Sequence, residues 1–342
     1  MDIPHKDIVV ESITHGEEVV AFLQPDWYLI KRKVFNGGIT NKIFGYIDDS
    51  CKDKNDMILL RIYGKKTEFI IDRERELQTH IKLNKAGFAS PVYCTLKNGY
   101  LYGFVDGNTL TTESVRCPKV YPIIAKSMAG MHCNVEYSGD PIFFTKLIAW
   151  MRQVPDYFTD KLECIQSVTE NGSFCKADLL DELNALNSKI VNRIDLLVGF
   201  CHNDLLLENI IHDALNHSIS FIDYEYGDTN YLAFDIGNHF AEYAGVQSVD
   251  YSLYPSEEYQ KWWLEIYLKE FHKIKDLGPV TEEHINTICR QVNFFSLCAH
   301  IWWGVWAIIQ SLNSEIDFDY ADYGRMRFQE YFDRKDSFFD EI

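Results

Sequence analysis

A chain of 342 residues, 46% hydrophobic and 25% charged, can bury a sizeable core in two domains or in one two-lobed domain. Acidic residues outnumber basic ones by 51 to 33, and the formal net charge of -18 argues against a broad basic surface for nucleic acid. The nine cysteines form no C-x-x-C pair, which argues against a disulfide framework. The first residues are polar, which argues against a signal peptide. Together these features predict a cytoplasmic protein without stable membrane insertion.

The first third of the sequence is rich in predicted strands. Residues 34–44 have the pattern of a strand, a glycine turn and a second strand, and the apolar runs at 57–63 and 100–105 predict two more. Residues 72–85 are charged but helically spaced. The predicted inner face of this helix carries Leu77, Ile81 and Ala86.

Helical patterns dominate after the turn at Asp106-Gly107-Asn108. Helices are predicted at 122–132, 142–151 and 179–192, then two strands near 210–211 and 219–222, and then mainly helices, including a buried one at 294–312 that is too polar to span a bilayer comfortably. This order predicts an α+β fold with a small β-rich lobe at 1–105, a hinge at 106–118 and a larger, mostly α-helical lobe at 119–342. Ligands favour the cleft between such lobes.

The strongest local motif lies at 202–209 and fits H-x-D-x-x-x-x-N. In the catalytic loop of kinases, this spacing presents an Asp that accepts the proton of the attacking hydroxyl and an Asn that binds Mg²⁺, here Asp204 and Asn209. An apolar strand at 219–222 then ends in Asp223, where a kinase carries its second metal-binding Asp. Each part alone is also compatible with an ordinary polar turn, whereas the two in this order favour Mg²⁺-dependent phosphoryl transfer.

Weaker patterns in the first third are consistent with nucleotide binding. The glycine pair at 37–38 could hold phosphates through backbone N–H groups, and it is equally typical of a simple hairpin turn. Arg61 lies where a kinase carries its strand lysine, and Glu74 on the next helix is its predicted partner. An ordinary ion pair between Arg61 and Glu74 is the alternative interpretation.

The charge pattern around the motif favours a cationic substrate. No Lys or Arg occurs between Arg193 and Lys261, a segment with many carboxylates, which would attract cations if it is more than a solvated acidic face. Trp303 and Trp306 are three residues apart on one predicted helix face, and aromatic faces attract ammonium groups. The alternative for these tryptophans is simple core packing.

These residues resemble the choline/ethanolamine kinases, which share the fold of protein kinases and aminoglycoside phosphotransferases. The similarity extends from about Phe35 to Phe332. The segments that carry it are Cys201-His202-Asn203-Asp204 with Asn209, Phe221-Ile222-Asp223-Tyr224-Glu225-Tyr226, Phe234-Asp235-Ile236-Gly237-Asn238-His239-Phe240 with Glu242, and Trp303-Gly304-Val305-Trp306 with Tyr323.

The resemblance implies a protein-kinase-like two-lobed fold and a role for each matching residue. Asp204 would be the catalytic base, Asn209 and Asp223 would bind Mg²⁺, and His202 and Asp235 would support the catalytic loop. The ATP contacts implied are Gly37, Gly38, Thr40, Asn41, Arg61, Glu74, Phe104 and Val105. The contacts implied for the substrate ammonium are Glu242, Trp303, Trp306 and Tyr323.

Within this family, the segment Glu242-Tyr243-Ala244-Gly245-Val246 resembles the ethanolamine branch, since choline kinases carry further aromatic residues just after the position of Glu242. The expected reaction is phosphorylation of ethanolamine by ATP, the first step of the CDP-ethanolamine route to phosphatidylethanolamine. A choline kinase, a dual-specificity kinase and an inactive pseudokinase scaffold are the alternatives, and the intact set of Asp204, Asn209 and Asp223 argues against the last. A homodimer is left open.

Overall fold

The computed structural model describes residues 3–35, 41–51, 53–64, 72–169, 171–191 and 193–342. The chain forms two compact units. The first comprises Met1–Asn108 and Ile211–Glu225, and the second comprises Thr109–Ile210 and Tyr226–Ile342.

A mixed β-sheet is the centre of the first unit. Six of the described strands form it, in the order β1-β5-β6-β4-β3-β2, with β1 parallel to β5 and the other pairs antiparallel. These strands are β1 His5–Lys6, β2 Ile30–Phe35, β3 Asn41–Asp48, β4 Ile58–Tyr63, β5 Val92–Leu96 and β6 Gly99–Gly103. The predicted run at 57–63 forms β4, which lies inside the sheet and is buried from Ile58 to Ile62, including the charged Arg61.

Two helices complete the N-terminal part of this unit. Helix α1, Ile13–Leu23, begins after the N-cap Ser12 and buries Val19 and Val20 against the sheet. Helix α2, Arg73–Lys85, begins after Asp72, whose carboxylate accepts the N–H of Arg75. The inner face of α2 was predicted from its apolar residues, and this prediction is wrong. The buried positions are spaced i, i+4, i+7, as expected for one helix face, but the first of them is a polar residue. They are Glu76, His80 and Leu83.

Helices form most of the second unit. They are α3 Tyr121–Asn134, α4 Phe143–Met151, α5 Lys176–Ile190, α6 Leu232–Ala241, α7 Glu257–Lys275, α8 Glu282–Asn313 and α9 Tyr320–Phe338. By length and composition, α8 could cross a membrane, but its most apolar stretch is entirely buried within the fold, which is typical of a core helix. Helix α8 therefore matches the buried helix that the sequence predicts.

Short strands flank the predicted catalytic motif. They are β7 Asn108–Thr109, β8 Val198–Cys201, β9 Ile210–Asp213, β10 Ser218–Phe221 and β11 Asp228–Tyr231. Strand β8 pairs antiparallel with β11, with Cys201 opposite Asp228, and it ends where the motif begins. The β-rich first unit and the helical second unit agree with the predicted α+β class.

Candidate active site

The predicted catalytic loop starts at a strained backbone position directly after β8. Asn203 has a φ of 65°, in the left-handed region, which Asn tolerates better than most side chains. Its amide group donates to the carbonyl oxygens of Cys201 at 3.3 Å and Tyr226 at 2.9 Å and accepts from Asn230 Nδ2 at 2.8 Å. Because Asn203 is completely buried, these bonds fix the turn that leads into Asp204.

A fully buried carboxylate holds the same turn from α6. Asp235 accepts the backbone N–H groups of His202 at 2.9 Å and Asn203 at 2.7 Å, and its Oδ2 lies 3.0 Å from His132 Nε2. Burial alone would raise the pKa of Asp235, but the hydrogen bond and charge of His132 outweigh it, and the pKa is lowered. His132 lies on α3 about a hundred positions before Asp235 and belongs to no motif, so the sequence alone did not predict its role.

His132, Cys201 and Asp235 have the composition of a metal site, and their ligand atoms lie within 4.8 Å of one another. Their hydrogen bonds favour a different role. His132 Nδ1 lies 2.8 Å from the Tyr267 hydroxyl while Nε2 faces Asp235, so both ring nitrogens are engaged. Burial raises the pKa of the Cys201 thiol well above its usual value, which disfavours the thiolate that a metal needs. We therefore interpret the cluster as a hydrogen-bonded support of the loop.

Asp204 and Asn209 are brought together in the second unit. Asn209 is the last residue of a single 3₁₀ turn, Leu207–Asn209. Its Nδ2 donates to the Asp204 backbone oxygen at 2.9 Å and to Asp204 Oδ2 at 3.2 Å. Both side chains are buried. Because the amide N–H groups face Asp204, the amide oxygen of Asn209 is the atom that can ligate a cation.

Arg61 is the centre of an ion-pair network in the first unit. From β4, its Nη2 lies 2.5 Å from Asp223 Oδ1 and 2.9 Å from Glu225 Oε2, and its Nε lies 3.2 Å from Glu76 Oε1. Burial disfavours the charged guanidinium, but the surrounding carboxylates outweigh this effect and raise the pKa of Arg61. Asp223 itself has a φ of 64°, a second strained residue after a short strand.

The predicted partner of Arg61 was Glu74, and this prediction is wrong. Glu74 is exposed in the first turn of α2, whereas Glu76, two residues later, faces the sheet and is buried. The cap at Asp72 sets the helix phase and places Glu76 on the same face as His80. Arg73 also contacts Glu76, with Nη1 to Oε2 at 2.7 Å.

The remaining residues predicted for ATP lie around β3 and β6. Gly37, Gly38 and Thr40 are outside the described residues. Asn41 is the first residue of β3, and its Nδ2 donates to Glu225 Oε2 at 3.0 Å. Burial, together with the nearby Asp223 carboxylate, raises the pKa of Glu225 to about 7. Phe104 and Val105 follow β6 and are half-buried, and the backbone N–H of Phe104 donates to Met57 O at 3.0 Å.

An aromatic cluster surrounds the residues predicted for an ammonium group. The Trp303 and Trp306 rings meet edge to face at 5.5 Å, and the Trp306 and Tyr323 rings lie 6.5 Å apart. Trp303 Nε1 donates to Asn238 Oδ1 at 2.7 Å and Trp306 Nε1 donates to the Tyr226 hydroxyl at 2.8 Å. With their polar edges bonded inside the protein, the π faces are the parts of the rings that can attract a cation.

Glu242, the predicted carboxylate for the ammonium group, forms an ion pair that the sequence analysis missed. Its Oε1 contacts Nη2 of Arg327 from α9, and both side chains are buried. Arg327 also donates to the Tyr323 hydroxyl, from Nε at 3.0 Å and Nη2 at 2.7 Å. Burial raises the pKa of Glu242 and Arg327 opposes this effect. The i, i+4 spacing of Tyr323 and Arg327 on a helix was the available signal.

The donors fit Mg²⁺ better than a soft metal. Asp204, Asn209 and Asp223 offer carboxylate and amide oxygens, and Mg²⁺ prefers such hard ligands together with water and substrate phosphates. Asp204 and Asn209 belong to the second unit and Asp223 belongs to the first.

The chain is similar to known kinases over most of its length. The choline/ethanolamine kinase family matches residues 33–332. A probable ethanolamine kinase of Nematostella vectensis is 40% identical over 309 aligned residues, which cover 89% of this chain and 87% of the relative. Mouse ethanolamine kinase 1 is 36% identical over an alignment of 350 positions, which covers 98% of this chain and 94% of the relative. The solved structure of an ethanolamine kinase of Plasmodium vivax is similar with a TM-score of 0.78 and 29% identity, over 94% of this chain and 89% of that one.

Proposed function

The chain belongs to the choline/ethanolamine kinase family, and from this premise we propose that it transfers the γ-phosphoryl group of ATP to the hydroxyl of ethanolamine, forming phosphoethanolamine and ADP. The observation that carries the proposal is the extent of the similarity, because relatives named ethanolamine kinase match nearly the whole chain at more than a third of its positions. The side chains described in each unit support the proposal.

Asp204 is the proposed general base. A base must hold its carboxylate where it can accept the proton of the attacking hydroxyl, and kinases place an Asp there at this spacing. Asn209 donates to one oxygen of Asp204, Oδ2, and this hydrogen bond supports an ionised, oriented carboxylate. The bonds from Asp235 to the two preceding residues, His202 and Asn203, keep the loop in place.

Asn209 and Asp223 are the proposed Mg²⁺ ligands. These two residues would hold Mg²⁺, which when bound would supply positive charge to offset the negative charge of the phosphates during transfer. Arg61 is the proposed phosphate contact, and its pairs with Glu76 and Glu225 hold the guanidinium in position. The other proposed nucleotide contacts are Gly37, Gly38, Thr40, Asn41, Phe104 and Val105.

Glu242, Trp303, Trp306 and Tyr323 are the proposed ammonium contacts. A primary ammonium has three N–H donors and can hydrogen-bond a carboxylate, whereas a trimethylammonium has none and depends on aromatic faces and charge. A site with one available carboxylate oxygen therefore favours ethanolamine. Choline kinase activity is the second candidate, because tryptophan faces also bind quaternary ammonium groups.

The remaining proposals follow from this activity. The reaction is the first step of the CDP-ethanolamine route to phosphatidylethanolamine. Among the described residues the nine cysteines are unpaired, which favours a cytoplasmic enzyme. We propose that residues 106–118 act as the hinge between the regions 1–105 and 119–342. Assembly as a homodimer is compatible with the family and is tested by sedimentation.

The deciding experiment measures ADP release with ethanolamine, monomethylethanolamine, dimethylethanolamine and choline under identical conditions. We expect kcat/KM for ethanolamine to exceed that for choline by at least about tenfold, equivalent to about 1.4 kcal/mol, with a stepwise decline as N–H donors are replaced by methyl groups. Equal or better use of choline would replace the proposal with a choline kinase. No turnover of any substrate at saturating Mg²⁺ would favour a pseudokinase.

A further inference from the structure

Arg327 forms a buried ion pair with the carboxylate that is proposed to receive the substrate. Glu242 is 2% exposed and Arg327 is 1% exposed, so neither charge is solvated by bulk water. An uncompensated charge at either position would be costly, and removal of one partner leaves the other buried and unpaired. The ion pair therefore favours the ionised form of Glu242 and opposes the effect of burial, which raises the pKa of this carboxylate.

The two oxygens of Glu242 are not equivalent. Arg327 Nη2 contacts Oε1, while Oε2 is buried and has no hydrogen-bond partner among the described residues. Nη1 of Arg327 is also buried and has no hydrogen-bond partner among the described residues. A buried carboxylate oxygen without a partner is costly unless something supplies a donor, and a substrate ammonium has donors to offer.

The same guanidinium also fixes the proposed aromatic contact on α9. Arg327 donates to the Tyr323 hydroxyl from two nitrogens, and its guanidinium carbon lies 5.0 Å from the centre of that ring. Two donors of a planar guanidinium that converge on one oxygen restrict the position of the phenol far more than one flexible ammonium could. One side chain thus sets the position of a carboxylate from the end of α6 and of an aromatic ring from α9.

We propose that Arg327 is a positioning residue for substrate recognition, which holds Glu242 by Oε1 and Tyr323 by its hydroxyl so that Glu242 Oε2 is presented, ionised, to the ammonium group of the substrate. This inference rests on the proposed function, since it takes an amino-alcohol as the ligand. Arg327 itself does not contact the substrate. Its effect is on substrate KM more than on kcat.

The charged and titratable groups around Glu242 determine how its affinity depends on pH. Arg327 favours the carboxylate, Glu208 disfavours it, and Tyr251 and Tyr323 lie nearby with pKa values raised by burial. His300 on α8, whose ring lies 5.3 Å from that of Tyr251, is kept neutral because burial lowers its pKa well below the usual value. Arg327 is the cation that the carboxylate contacts directly.

The test compares Arg327→Lys, Arg327→Met and Glu242→Gln with the control Arg325→Met, which removes a partly exposed arginine from the same helix. KM and kcat are measured for the amino-alcohol that the wild type phosphorylates, from pH 6 to 9, with KM for ATP as an internal reference. We expect Arg327→Lys to raise substrate KM about tenfold or more, with kcat within about threefold of wild type and KM for ATP unchanged.

Arg327→Met should also change the pH profile. Without the guanidinium, the buried Glu242 binds a proton at higher pH, so substrate KM should fall steeply as pH rises from 6 to 9, and Glu242→Gln should abolish that dependence. Wild-type KM and pH profile in Arg327→Lys would overturn the proposal, as would equal increases in KM for ATP and substrate. If Arg327→Met does not fold, Arg327→Lys decides. If the wild type prefers choline, the proposed substrate is refuted but the role of Arg327 is not, because the variants are then compared with choline as the substrate.

Discussion

Replacing Asp235 by Asn tests how the catalytic loop is held, because the substitution keeps the shape of the side chain and changes its acceptors. The carboxylate is fully buried and accepts the N–H groups of His202 and Asn203. In the variant, one oxygen becomes an NH₂ group, and if that group faces either backbone N–H, a buried donor loses its acceptor. A buried hydrogen bond to a charged group contributes about 1.5–3 kcal/mol, so we expect a loss of about 2–4 kcal/mol in the free energy of unfolding.

The loss should also appear in catalysis, because His202 and Asn203 immediately precede Asp204. A displacement of about 1 Å in a catalytic group can reduce the rate about a hundredfold, and we expect kcat to fall by about that factor with KM for ATP little changed. Unfolding is followed by tryptophan fluorescence in urea, and kcat by coupled ADP release at saturating substrates.

Asp213→Asn is the matched control. Asp213 also accepts three N–H groups, from Leu215, Asn216 and the Asn216 side chain, but it is partly exposed, so water can replace the lost acceptor. We expect this control to keep wild-type kcat. If Asp235→Asn retained a free energy of unfolding within about 0.5 kcal/mol of wild type and kcat within threefold, the proposed support of the loop by Asp235 would be refuted.

Other substitutions test the chemistry and the stability separately. Asp204→Asn should lower kcat by about 10²–10⁴ with ATP binding intact, and more than half of wild-type kcat would remove Asp204 from the mechanism. Asp223→Ala should abolish turnover at ordinary Mg²⁺ concentrations, whereas the activity of Asn209→Ala should be partly rescued by more Mg²⁺. An unchanged Mg²⁺ dependence in both variants would contradict their proposed role as metal ligands. Burial lowers the pKa of His239 to about 4. As pH falls below about 6.5, the unfolded chain therefore binds a proton at His239 before the folded chain does. This difference should reduce the free energy of unfolding by about 2 kcal/mol at pH 5. His239→Asn should remove that part of the pH dependence in urea unfolding, and an unchanged pH dependence would show that His239 does not titrate in this way.

The sequence was most informative where a pattern is local. Strand β4 and the motif with Asp204 and Asn209 could be predicted because an apolar run and a fixed spacing are properties of a few adjacent residues. The partner of Arg61 could not, since Glu74 and Glu76 both lie in the predicted helix and only the cap at Asp72 decides which of them faces the sheet. A buried inner face made of charged and polar groups also defeats a search for apolar periodicity.

Contacts between distant segments were beyond prediction for a different reason. His132 supports Asp235 across 103 positions, and nothing in the composition of α3 distinguishes this histidine from an ordinary core residue. The backbone bonds that Asp235 accepts depend on a turn whose geometry is set by Asn203 in the left-handed region. Family resemblance indicated that the residue mattered, but only the fold shows which donors it accepts.

The distribution of charge shows most clearly why a window of sequence is an incomplete guide to a site. The segment from 194 to 260 contains no Lys or Arg, which suggests a strongly negative field around the motif. In the fold, its key carboxylates are paired with arginines from outside that segment, Asp223 with Arg61 and Glu242 with Arg327. Arg61 offsets only part of the charge of Asp223, Glu225 and Glu76, whereas the Glu242–Arg327 pair is close to neutral at a distance. Long-range attraction of a cation is therefore weaker than the acidic run alone implies. The proposed recognition of an ammonium group therefore relies on short-range features, namely one available carboxylate oxygen and the faces of the tryptophans. Such features respond to the number of N–H donors on the substrate and not only to its charge.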